Sequence, residues 1–134
     1  LKKAALAYDA AERSTWAFIP LPTRKGLPLR EMNEAQKASA LTLMQNVLSS
    51  VGYDKATSIM NLENLLRQLE GPGKEEWRDP NKYYFTIYGK PDVGGRWGLS
   101  IEGHHLSLNF VIEGGQVVES TPQFFATNPA TLQA

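Results

Sequence analysis

The chain has no cysteine among its 134 residues. That excludes a disulfide scaffold, a zinc–thiolate site and a cysteine nucleophile. Neither sign of charge is in excess: fourteen basic residues stand against fourteen acidic ones. Without a basic surface, nucleic acid and anionic membrane are poor default partners. No apolar run approaches the roughly 20 residues of a membrane-spanning helix, so no membrane span is expected in this segment. No secretory signal, internal repeat or low-complexity stretch is visible. Histidine is scarce as well, and its two copies, His104 and His105, are adjacent.

What is present suits one domain over residues 1–134 with a real core. The chain opens on Leu1 rather than Met, and Leu1 to Tyr8 reads as the tail of a helix already under way. Thr131-Leu132-Gln133-Ala134 stops without a terminator. The expectation is a fragment or N-terminal half of a longer protein, with the remainder of its own chain as a partner. Export is compatible with that expectation, since a signal peptide would lie outside this segment.

Residues 9–31 carry Pro20, Pro22 and Pro28, which block regular structure. Trp16 and Phe18 should pin this loop to the core, and a turn at Gly26 should present Arg24 and Lys25. Asn33 with Gln36 three residues later is a capping box. Ala40, Leu41, Met44, Val47, Leu48 and Val51 then form one helical stripe, closed by Gly52. A second helix is predicted from Asp54 to Glu70, with a stripe of Ile59, Leu62, Leu66 and Leu69 and a stop at Gly71-Pro72-Gly73. Strands are predicted over 83–88, 97–112 (bulged at Gly103) and 116–120. The tail from Thr121 to Phe125 should fold back over the sheet. The fold class is therefore α+β: an antiparallel helical hairpin packed on a three-stranded antiparallel β-meander.

The chemistry concentrates in Glu102-Gly103-His104-His105-Leu106-Ser107-Leu108-Asn109-Phe110. Read as a strand, it puts His105, Ser107 and Asn109 on one face and Leu106, Leu108 and Phe110 on the other. Imidazole is both the commonest transition-metal ligand and the commonest acid/base group near neutral pH. His104 and His105 are thus candidate ligands for a divalent transition metal. With Glu102 they are also candidate catalytic groups, Glu102 pairing with His104. The competing reading makes them structural groups of the sheet. Arg24 and Lys25 are candidates to bind a small molecule's carboxylate or phosphate, with Ser107, Asn109 and Trp97 as further ligand-binding candidates. Ser107 lacks a Gly-x-Ser-x-Gly elbow and a well-placed base, which argues against a serine hydrolase.

Several strings resemble a bacterial family known as domain of unknown function 3500. They are Trp16-Ala17-Phe18-Ile19-Pro20, Arg24-Lys25-Gly26-Leu27, Met32-Asn33-Glu34-Ala35-Gln36, Tyr84-Phe85-Thr86-Ile87-Tyr88-Gly89 and, most specific, Gly103-His104-His105-Leu106-Ser107-Leu108-Asn109. The resemblance implies a longer, often exported protein whose C-terminal half holds a further histidine segment. It also exposes a departure. Where members have Trp-Gly-Trp-Arg, this chain has Trp97-Gly98-Leu99-Ser100, so a basic group of that cleft is missing. The functional expectation is chemistry on a small molecule at the Glu102-to-Asn109 segment, hydrolytic or oxidative and metal-dependent if the histidines are ligands. The alternative is a non-catalytic binding or structural module whose His-His string stabilises the sheet.

Overall fold

A computed structural model describes residues 3–128. The strands are β1 (Ala5–Leu6), β2 (Leu27–Pro28), β3 (Tyr84–Tyr88), β4 (Arg96–Gly103), β5 (Leu106–Glu113), β6 (Gln116–Glu119) and β7 (Gln123–Phe125). The helices are α1 (Glu34–Val47) and α2 (Ser50–Glu70). No helix among the described residues is long and apolar enough to cross a membrane. The Thr131-to-Ala134 end lies outside the described residues.

α1 begins with the predicted capping box. Asn33 Oδ1 accepts from the Gln36 N–H at 2.9 Å, and Gln36 Oε1 accepts from the Asn33 N–H at 3.0 Å. The break between helices comes earlier than predicted. Leu48 is extended, and Ser49 caps α2 by accepting from the Gly52 N–H at 3.1 Å. A serine that satisfies an orphan N–H competes well with a glycine terminator. Gly52 therefore lies inside α2, and Val51 is exposed in its first turn. The buried face of α2 is also rotated from the predicted stripe: Ala56, Met60 and Glu63 are buried, whereas Leu69 is exposed.

The sheet is larger than a three-stranded meander. Its order is β1-β3-β4-β5-β6, with β2 also paired to β3 and β7 to β5. All pairings are antiparallel except β1 with β3. Residues 5–6 thus form a parallel edge strand, not the tail of a helix. The predicted 97–112 strand is really two strands, β4 and β5, folded about a two-residue turn at His104-His105, with Gly103 opposite Leu106. The parity of the apolar residues required this. Leu99 and Ile101 are odd-numbered, and Leu106, Leu108, Phe110 and Ile112 are even-numbered, yet all join one core. A continuous strand cannot switch faces that way, but a two-residue hairpin must.

One face of the sheet is apolar. Phe85, Leu99, Ile101, Leu106, Leu108, Phe110 and Ile112 form a single buried cluster with Ala40 and Met44 of α1 and Ala56 and Met60 of α2. The helices meet each other only lightly; this shared core holds them. Trp97 packs against the same cluster. The opposite face is polar. Its register sets Tyr84, Glu102 and Ser107 in one row and Thr86, Ser100 and Asn109 in the next. The N-terminal segment lies over it. Trp16 and Phe18 are not core pins there: they stay half-exposed and form a cluster with Phe124 of β7, at centroid distances of 5.1–6.4 Å.

Leu108 is fully buried, at 0% exposure. Leu108→Ala should cost about 2–5 kcal/mol in denaturant unfolding, the usual range for a buried leucine that leaves a cavity.

Candidate functional site

The histidine turn is built by close packing. Gly103 is the last residue of β4, and a Cβ there would come within 2.2 Å of the Tyr83 ring. Only glycine allows this approach. Tyr83, itself buried, donates its hydroxyl to the His104 carbonyl at 3.0 Å. His105 adopts φ +58°, a left-handed conformation uncommon for residues other than glycine, though histidine, like asparagine and aspartate, takes it more readily than most. Two segments hold it there. The His105 N–H donates to the Phe18 carbonyl at 2.8 Å, and the His105 carbonyl accepts from the Ala126 N–H at 2.9 Å.

The turn brings the two imidazoles together, with ring centroids 4.0 Å apart. A strand would have kept them on opposite faces. The expected Glu102–His104 pair does not form. Instead His104 Nδ1 is paired with Glu63, which α2 delivers to the turn with its side chain 3% exposed. Arg78 stands beside both: its guanidinium is 3.3 Å from His104 Nδ1, 3.8 Å from Glu63 Oε2 and bidentate to Glu70 at 2.6 and 3.0 Å. The Glu70 bonds are the main reason the Arg78 pKa lies above its ordinary value. Glu63 Oε2 is buried and accepts no hydrogen bond. The sequence reading missed Glu63 although a signal existed: 56, 60 and 63 share a helical face, and a carboxylate on an otherwise apolar stripe needs a partner.

Glu102 faces the other way, under the N-terminal loop. Its Oε1 accepts from Lys25 Nζ at 2.6 Å, and its Oε2 lies 3.9 Å from Arg24. Lys25 also donates to the Thr15 carbonyl, and Arg24 to the carbonyls of Ala17 and Ile19. The basic pair therefore turns inward and staples its own loop rather than presenting itself at a rim. Burial lowers the Arg24 pKa from its ordinary value, with Glu102 opposing that shift. A cleft of about 330 Å³ opens above, lined by Glu12, Thr15, Trp16, Leu21, Lys25 and Glu102, among others.

The remaining candidates disperse. Ser107 Oγ is buried and accepts from Asn109 Nδ2 at 3.2 Å; that amide also donates to the Pro122 carbonyl at 3.0 Å. Trp97 sits five residues from Glu102 along β4, about 17 Å at strand rise, on the helix-covered face. Among the described residues, no group of three or more His, Asp or Glu side chains is placed to hold a metal ion.

These features define an α+β domain with a carboxylate–imidazole pair at a hairpin turn and an aromatic-walled cleft on the sheet's polar face. The chain belongs to the family DUF3500, described as a protein of unknown function, which matches residues 1–134. No curated protein and no solved structure matches it.

Burial, followed by the neighbouring His104, lowers the His105 pKa below its ordinary 6.5. Between the lowered value and 6.5, the unfolded chain takes up a proton that the folded chain refuses. This group's contribution is thus fully present above 6.5 and lost as pH falls through the folded pKa. His105→Asn, which tolerates the left-handed backbone, should flatten that part of the profile in urea unfolding at stepped pH.

Proposed function

We propose that this domain is a non-catalytic binding module for a small molecule, in which the His104-His105 turn fastens the fold and the cleft above Glu102 takes the ligand. One observation carries this reading: the polar groups of the Glu102-to-Asn109 segment are spent on partners rather than converging on a common point. Glu102 holds Lys25, His104 pairs with Glu63, and Ser107 and Asn109 satisfy each other and Pro122. A reaction centre needs several groups aimed at one reacting atom. A fastening needs satisfied groups that join distant segments. Here α2, the residue 15–25 loop and the strand after Pro122 all meet at one hairpin end.

A second reading has support of its own. The His105 ring nitrogens have no hydrogen-bond partner among the described residues, and burial, followed by the neighbouring His104, lowers the pKa of that imidazole. With Glu63 orienting His104, the two rings could serve acid–base chemistry, hydrolytic in kind. They could equally donate to a divalent transition metal. A catalytic zinc usually takes three protein ligands, so further donors would have to come from outside the described residues.

The two readings part on paired substitutions. As a fastening, His104→Ala should cost roughly 3–5 kcal/mol, because it leaves Glu63 buried without its partner, whereas His105→Asn should cost under about 1 kcal/mol. Neither should change the metal content of the purified protein. Turnover of activated esters or phosphate esters that disappears in a fully folded His105→Asn variant would sink the binding-module reading. So would a stoichiometric metal lost in that variant.

A further inference from the structure

Building on the binding-module reading, we propose that the cleft above Glu102 takes a neutral, polyhydroxylated small molecule of monosaccharide size. The first argument is shape. The cleft measures about 330 Å³, at the small end of the roughly 300–1,000 Å³ typical of ligand sites. Its wall is Trp16, 41% exposed although it packs against Phe124 at 5.6 Å. A large aromatic held in place by other rings yet open on one side offers a flat apolar surface. The C–H face of a pyranose ring can lie on such a surface.

The second argument is hydrogen-bond supply. The cations at the floor are already committed. Arg24 donates to two loop carbonyls, and Lys25 to the Thr15 carbonyl and to Glu102. The capacity left over is mostly that of acceptors. Among the described residues, Glu102 Oε2 accepts no hydrogen bond and only faces Arg24 at 3.9 Å, while Thr15 Oγ1 donates to the Glu12 carbonyl at 3.0 Å and keeps its lone pairs. One Lys25 N–H remains as a donor, and the N–H groups that Arg24 does not spend on the loop carbonyls sit on a side chain only 4% exposed. A ligand must therefore bring several donors and a few acceptors, which is the character of vicinal hydroxyls.

The third argument is charge. Glu12 and Glu102 balance Arg24 and Lys25 among the residues lining the cleft. A carboxylate or phosphate ligand would have to displace the intramolecular acceptors of Arg24 and Lys25. A quaternary ammonium would face the same two cations at close range. A neutral ligand meets neither obstacle.

The test is isothermal titration calorimetry of the folded protein with D-glucose, D-galactose and myo-inositol, alongside glucuronate, glucose 6-phosphate and choline. The expected result is saturable binding of at least one neutral polyol. Trp16→Ala, assayed well below its own thermal midpoint so that the protein is folded, should weaken it about tenfold, and Trp16→Phe should restore part of it. Glu102→Gln, which keeps the shape of the side chain, should weaken it further. Stronger Trp16-dependent binding of an anion or of choline would overturn the ligand class and leave the binding module standing. Polyol binding indifferent to Trp16→Ala would overturn the site. No binding of any neutral polyol would overturn the proposal outright. Histidine-dependent turnover, the separate failure of the binding-module reading, is read in the ester assay and not here.

Discussion

The contact between Glu63 and His104 organises the rest of this fold. A carboxylate on the core side of a helix is costly unless a polar partner reaches it. The hairpin end of the sheet supplies that partner in His104. That requirement sets the rotation of α2, with Ala56, Met60 and Glu63 inward. It also sets how far the β4–β5 hairpin extends beneath the helix. Arg78, arriving from the loop after α2, completes the charge balance and ties Glu70 to the same point. Three segments, α2, the loop after it and the hairpin turn, thus share one electrostatic knot at the end of an apolar core.

The sheet's second face poses the opposite problem. Tyr84, Thr86, Ser100, Glu102, Ser107 and Asn109 line it, and most are buried. Polar groups are costly to remove from water unless something hydrogen-bonds to them. The proline-rich N-terminal segment partners Glu102 through Lys25 and Arg24, and Ser107 and Asn109 bond each other and the Pro122 carbonyl, while Thr86 Oγ1 stays buried without a partner among the described residues. The irregularity of that segment leaves its carbonyls at Thr15, Ala17 and Ile19 free to receive Arg24 and Lys25. The same loop holds Trp16 at the mouth of the cleft, so covering the polar face and forming the cleft are one structural event.

The α1 cap, the stop at Gly71, the strand at Tyr84–Tyr88 and the burial of Leu106, Leu108 and Phe110 were all legible in local pattern, because each depends on neighbours within a few residues. The hairpin turn at His104-His105 was legible too, in the odd-to-even switch between Ile101 and Leu106, but a lone glycine can mark either a bulge or a turn. The inward direction of Arg24 and Lys25 was not. A loop arginine reads alike whether it meets solvent or a carbonyl 5–7 residues away.

Local sequence, then, determined the two long helices, the central strand at Tyr84–Tyr88 and the apolar faces of the long strands, but not the short strands at Ala5–Leu6, Leu27–Pro28 and Gln123–Phe125. The former follow from periodicity and capping, which act over a turn or two of chain. Tertiary structure alone decided that His104 meets Glu63 rather than Glu102, and that Lys25 crosses to Glu102. It also decided that Trp97 packs against the core on the helix-covered face. Those pairings join residues 41 and 77 positions apart, and nothing in the local pattern encodes which of several equally suitable charges will be brought within reach.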